Sequence, residues 1–228
     1  MKYRALFLDM DGTFLDFHAA EREAFDKAFG KTGKVPEKEH YLLYSRINDE
    51  LWKAFERGEI EKEQIRNSRF GRLFEQLGIS ADGIAVERDY EIFLGEGHEL
   101  IPHAREVLTF LAGRYPLYVT TNGFANVQRN RLKLAGIEGF MEQIFISEEI
   151  GYQKPKKEFF DACFSRIEPS VLPGEVLLIG DSLTSDILGA KNAGIASCWF
   201  NPERRKNESG IQPDYEIGSL LELKELLK

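Results

Sequence analysis

The sequence predicts an α/β fold, a doubly wound parallel sheet with an α-helical domain inserted into it. Three observations predict it. Short apolar runs recur along the chain without the alternation of half-exposed strands, as buried parallel strands do. Helical patterns separate most of these runs, so strand and helix alternate. Between the first run and the second, residues 18–94 keep helical spacing only.

The first run is ALFLDM (5–10). In the block that follows, AAEREAFDKAFGK sets Ala24, Phe25, Ala28 and Phe29 on one stripe. INDELWKAFERGEI and EQIRNSRFGRLFEQLGI hold the same period. The expected division is a core of 1–16 and 96–228 with a helical domain of 17–95. Tyr41, Tyr44, Trp52 and Phe55 fall at helical spacing and predict packing, while Arg46, Arg66 and Arg69 read as solvated helix faces. The linkers lie near 14–17 and 94–100. Gly95 and Gly97 in the second suit a hinge, so open and closed forms are expected.

The core then continues in order. HAREVLTFLAG (103–113) places Val107, Leu108 and Leu111 on one face and stops at Gly113. LYVTTN (117–122) is the second strand, and ANVQRNRLKLAG (125–136) is a helix closing at Gly136. QIFIS (143–147) is the third strand. KKEFFDACFSRI (156–167) is a helix, with Pro155 suited to its first turn. VLLIGD (176–181) and ASCWF (196–200) are the fourth and fifth strands, joined by the helix SDILGAKNAG (185–194). ERRKNESG (203–210) reads as a solvated loop.

The 228 residues suit one domain plus a sizeable insertion. A net charge of -8 argues against a nucleic-acid or anionic-membrane surface. No apolar run approaches the roughly 18 residues of a membrane span, and the first run breaks at Asp9, too early for a signal-peptide core. Cys163 and Cys198 form no CxxC pair, and the four histidines, 18, 40, 98 and 103, show no metal spacing. A cytoplasmic protein, monomeric or weakly dimeric, is expected.

The chemistry lies at strand ends. ALFLDMDGT closes a buried strand with Asp9 and Asp11, which is an expensive place for two carboxylates. Such a pair shares a proton or binds a hard cation such as Mg²⁺. LLIGDSLTSD ends a second buried strand in Asp181, with Asp186 in the next helix, so Asp9, Asp11 and Asp181 could converge. LYVTTNG adds Thr121, Asn122 and amides near Gly123, which suit phosphate oxygens. Lys154, ahead of Pro155, supplies positive charge. One carboxylate can attack phosphorus while the other protonates the leaving oxygen.

LDMDGT, the Thr before Asn122, the Lys before Pro155 and GDSLTSD, in that order, resemble the four motifs of the haloacid-dehalogenase (HAD) superfamily. The resemblance implies the HAD Rossmannoid core with a helical cap. It implies Asp9 as nucleophile, Asp11 as general acid/base, Thr121 on the phosphate and Lys154 bridging nucleophile and phosphate. It implies Mg²⁺ on Asp9, the Asp11 carbonyl and Asp181, supported by Asp186. LDFHAAEREAF, SDILGAKNAGIASCWFNP and IQPDYEIGSLLELKELL are similar to the YjjG/YfnB-type nucleotidases of that superfamily, which implies a pyrimidine 5'-nucleotidase. The alternatives are a phosphatase of another small metabolite (phosphoglycolate or a sugar phosphate), a phosphomutase and a 2-haloacid dehalogenase. A binding module on an inactive enzyme fold is a further alternative.

Overall fold

The computed structural model describes residues 2–228, which divide into two compact units. The first runs up to Asp16 and resumes over His98–Lys228; the second is Phe17–Gly97. The second crossing lies beyond the expected residue 95 because the last helix of the insertion continues to Glu96.

In chain order, β1 (Ala5–Leu8) is followed by α1 (Phe17–Gly30), α2 (Lys38–Glu56), α3 (Lys62–Leu77) and α4 (Gly83–Glu96). Then come α5 (Ala104–Ala112), β2 (Leu117–Thr121), α6 (Ala125–Leu134), β3 (Gln143–Ile146), α7 (Ser147–Ile150) and α8 (Lys157–Phe164). β4 (Val176–Gly180), α9 (Leu188–Ala193), β5 (Ala196–Phe200), β6 (Tyr215–Ile217) and α10 (Leu223–Leu226) complete the chain.

The six strands form one parallel sheet in the order β3-β2-β1-β4-β5-β6. The chain winds outward from β1 through β2 to β3, then returns to the other side of β1 and winds outward again. The direction reverses between β1 and β4, where Leu8 pairs with Ile179. Ligand chemistry in such sheets collects beyond the carboxyl ends at that reversal.

β1 and β4 are buried along their whole length, which is why their residues read as continuous apolar runs. Their side chains still alternate between two cores. Leu6, Leu8, Leu177 and Ile179 lie on one face, and Ala5, Phe7, Val176 and Leu178 on the other. Each large aliphatic side chain buried there contributes roughly 1.5–3 kcal/mol. The strands are fixed to their last residues, and so is whatever directly follows them.

Some elements differ from expectation. β6 is a short edge strand, and half-exposed Tyr215 and exposed Glu216 hide it from an apolar-run reading. Pro155 does not occupy a first helical turn: α8 starts at Lys157 behind the N-cap Lys156, and the Lys154–Pro155 peptide is cis. The helix expected from 185 begins as a π turn over Leu183–Ile187, capped by the Ser182 hydroxyl, before α9. Cys163 and Cys198 are buried free thiols.

The second unit packs α1 to α4 around an aromatic core. Phe25 and Tyr44 lie 4.9 Å apart between ring centroids, and Tyr44 and Phe70 lie 5.1 Å apart. Arg69 contradicts its expected solvation. It is 1% exposed and donates to both Glu87 oxygens at 2.7 and 2.5 Å and to Asn48 Oδ1 at 3.0 Å. Its guanidinium also lies over the Tyr90 ring, 4.4 Å from the centroid. The reason is position: Ile65, Arg69 and Leu73 fall four residues apart on the buried face of α3. Gly97 allows close packing, since a Cβ there would lie 2.4 Å from the Ala20 Cβ. Among the described residues no helix is long and apolar enough to cross a membrane.

Candidate active site

Asp9 is the first residue beyond β1, and its N–H still donates to Ile179 O of β4 at 2.9 Å. Asp181 is the first residue beyond β4. The strand pairing at the winding reversal therefore sets these two carboxylates side by side. Asp186 joins them from the π turn. Asp9, Asp181 and Asp186 each offer an oxygen, all within 4.8 Å of one another.

Two glycines make this convergence possible. Gly12 has φ +79°, and a Cβ there would lie 2.6 Å from Asp181 Oδ2. A Cβ on Gly180 would lie 2.3 Å from the Asp186 Cγ. Gly12 leaves the volume that the Asp181 carboxylate of the other motif occupies, and Gly180 leaves the volume for Asp186 of its own motif.

Lys154 supplies the balancing charge. Its buried ammonium donates to Asp9 Oδ1 at 2.8 Å, Asp186 Oδ1 at 2.6 Å and Thr120 O at 2.6 Å. Burial works against that charge, but Asp186 and Asp9 outweigh it and raise Lys154 above its ordinary value. Asn122 fixes the lysine through its backbone: Nδ2 donates to Lys154 O and Oδ1 accepts from Lys154 N–H, both at 2.9 Å. Asp9 Oδ2 accepts from Thr13 Oγ1 at 3.1 Å, and Asp186 Oδ2 accepts from Ser182 N–H at 3.1 Å.

One ammonium against three carboxylates leaves negative charge in excess. Burial pushes Asp9 well above the usual carboxylate range; Lys154 opposes the shift and Asp186 and Asp181 add to it. Asp181 is pushed up to about 7 by burial and then by Asp186. Closely spaced hard oxygens short of positive charge fit a divalent cation such as Mg²⁺.

Residues 3–194 match the family model of haloacid dehalogenase-like hydrolases. The chain belongs to the haloacid dehalogenase-like hydrolases. Its relatives in this family include the HAD-hydrolase YfnB of Bacillus subtilis, 41% identical over 99% of this chain and 96% of that protein. The crystal structure of YfnB bound to magnesium, described as revealing interdomain movement, superposes with a TM-score of 0.94 over 100% of both chains. Pyrimidine 5'-nucleotidase PynA of Streptococcus pneumoniae is 36% identical over 100% of this chain and 96% of its own. Pyrimidine 5'-nucleotidase YjjG of Escherichia coli is 32% identical over 100% and 99%.

Within this hydrolase the expected site residues do not all converge by side chain. Asp11 departs most. Its carboxylate lies outside the three-carboxylate group and accepts instead from Arg131 and Gln128 of α6. The turn at Gly12 follows Asp11 directly, so the same-side geometry of an extended i, i+2 pair does not apply. Asn122, expected on substrate, commits its amide to Lys154 and to Ser185 Oγ at 3.3 Å. Gly123 N–H, expected to be available, donates to Thr121 Oγ1 at 3.0 Å; that hydroxyl keeps its own proton to donate. The hydroxyl that Thr13 offers beside the acid pair is used on Asp9, whereas sequence reading missed Gln128 and Arg131. Both carried a signal: they share the buried face of α6 with Val127 and Leu132, on the helix that follows a functional strand end.

Proposed function

We propose that this hydrolase is a Mg²⁺-dependent phosphomonoesterase working through an aspartyl-phosphate, and that its substrates are pyrimidine nucleoside 5'-monophosphates. One observation carries the chemistry: a buried carboxylate at the sheet reversal, gripped by a lysine and flanked by two further carboxylates. The substrate class rests on the likeness to PynA and YjjG over essentially the whole chain.

In the first half-reaction an Asp9 oxygen bonds to phosphorus and the bond from phosphorus to the ester oxygen breaks. Asp11 gives its proton to the departing oxygen. In the second half, Asp11 takes a proton from water as the water oxygen attacks phosphorus. The Asp9–phosphorus bond then breaks and inorganic phosphate is released. Lys154 holds the nucleophile in place and meets the charge of the phosphoryl group, and Thr121 donates its hydroxyl to a phosphoryl oxygen. Asp9, Asp181 and Asp186 would hold Mg²⁺, which supplies neutralising charge to the phosphoryl oxygens.

The test is phosphate release from pyrimidine and purine monophosphates, sugar phosphates and phosphoglycolate, with Mg²⁺ and with EDTA. Metal-dependent release concentrated on pyrimidine monophosphates is expected. Release concentrated on sugar phosphates or phosphoglycolate would overturn the substrate class and keep the chemistry. Activity on 2-haloacids surviving EDTA would overturn both.

A further inference from the structure

We propose that Arg131 and Gln128 are positioning residues for Asp11, forming a two-donor seat that fixes where its carboxylate hands over and takes up the proton. The inference rests on Asp11 being the general acid/base of the phosphomonoesterase reading.

Arg131 Nη1 donates to Asp11 Oδ1, and Gln128 Nε2 donates to Asp11 Oδ2. The two donors stand three residues apart on α6, so one helix supplies both. Each carboxylate oxygen thus has its own donor, which fixes the plane of the group as well as its location.

Three features of the chain serve this seat at some expense. The Arg131 side chain is 0% exposed, whereas that of Asp11 is 24% exposed. A guanidinium buried that deeply is unfavourable without a carboxylate, and an apolar residue between Val127 and Leu132 would pack at lower cost. Gln128 Oε1 is buried with no hydrogen-bond partner among the described residues. Turning the amide would aim that oxygen at the carboxylate, so the unpaired acceptor follows from holding Nε2 on Asp11. Finally, a Cβ on Gly123 would lie 2.2 Å from Gln128 Nε2, so the amide reaches Asp11 through space that only glycine leaves open.

The seat is separate from the grip on the nucleophile. Asp9 is held by Lys154 and Thr13, and Asp11 by α6. Two carboxylates adjacent but one in sequence are therefore positioned by different elements. The seat matters when the leaving oxygen needs a proton: a nucleoside 5'-oxygen does, and p-nitrophenolate does not.

The test compares a nucleoside monophosphate with p-nitrophenyl phosphate, reading the single-turnover rate of phosphoryl transfer to the enzyme and KM. It uses the full chain with Mg²⁺ and the variants Arg131→Met, Arg131→Lys and Gln128→Met, alone and combined with Asp11→Asn. Arg131→Met is expected to slow transfer from the nucleotide about a hundredfold at unchanged KM. p-Nitrophenyl phosphate is slowed far less, Arg131→Lys recovers part of the loss, and Asp11→Asn leaves nothing further to lose. Should Arg131→Met fail to fold by circular dichroism, Gln128→Met, which removes a neutral donor, is expected to show the same substrate selectivity at smaller size. Equal slowing of both substrates, a rise in KM alone, or a further loss in Asp11→Asn would overturn the seat. If Asp11→Asn slows nucleotide transfer and the seat variants do not, the seat alone falls. If Asp11→Asn has no effect, the acid/base reading falls with it.

Discussion

The inserted helical unit and the sheet unit both bury ionised side chains, but they pair them differently. In the helical unit Arg69 meets Glu87 through two hydrogen bonds, and Asn48 links Arg69 to Glu21 by donating to Glu21 Oε1 at 2.8 Å. Tyr41 donates to the other Glu21 oxygen at 3.0 Å. Both oxygens of each glutamate there have a donor, although burial raises Glu21 and Glu87 as well. In the sheet unit three carboxylates face one lysine, and both Asp9 and Asp181 are driven above their ordinary range by burial. A network in which every carboxylate oxygen is hydrogen-bonded ties the helices together. Three carboxylates converging on one lysine leave a demand for positive charge that a divalent cation such as Mg²⁺ would answer, and with it in place an anionic phosphoryl group could approach.

The contrast breaks most sharply on substitution of Asp9. Asp9→Asn should lower phosphate release by about 10⁴-fold or more. It should not lower the melting temperature of the metal-free protein, because it removes a carboxylate that folding places at a disadvantage. Activity assays with a thermal melt in EDTA check both halves. Glu87→Gln should do the reverse within the helical unit, costing about 3 kcal/mol in denaturant unfolding, since Arg69 would keep its buried charge and lose the carboxylate it bonds, whereas Lys154 keeps Asp186 when Asp9 is neutralised.

A smaller effect is expected at Gly12. Gly12→Ala meets both a positive φ and the Asp181 oxygen, and should cost about 1–3 kcal/mol by the same unfolding measurement. The metal completes the series. Asp181 has its folded-state value raised to about 7, so the folded chain holds that proton more tightly than the unfolded chain. That contribution to stability is fully present only below the ordinary value of 3.8 and is lost progressively as pH rises to about 7. Mg²⁺ needs the ionised form, so it should raise the melting temperature by several degrees at pH 8 and by less at pH 5. An equal shift at both values would remove the mismatch from the account.

Much of this was legible in the residues. Strands buried on both faces must be apolar throughout, and so β1, β2, β4 and β5 stand out, each followed by its polar or acidic terminus. The order of those termini, with the Lys before Pro155 between the second and fourth strands, sufficed to bring together Asp9, Lys154, Asp181 and Asp186. Side-chain direction was not legible. Asp11 turns to α6 because the chain bends at Gly12, and Asn122 turns back to the Lys154 backbone; both depend on contacts distant in sequence. Arg69 was misread for a related reason. A charged residue on an apolar stripe looks solvated until the partner that neutralises it, Glu87 of another helix, is seen.

If Asp9 is the nucleophile, acid quenching during turnover traps the phosphoryl group on it. With ³²P-labelled nucleoside monophosphate and Mg²⁺, label is expected on the peptide carrying Asp9, stable in acid, released by hydroxylamine and absent from Asp9→Asn. Label on another residue, or phosphate release undiminished in Asp9→Asn, would contradict it.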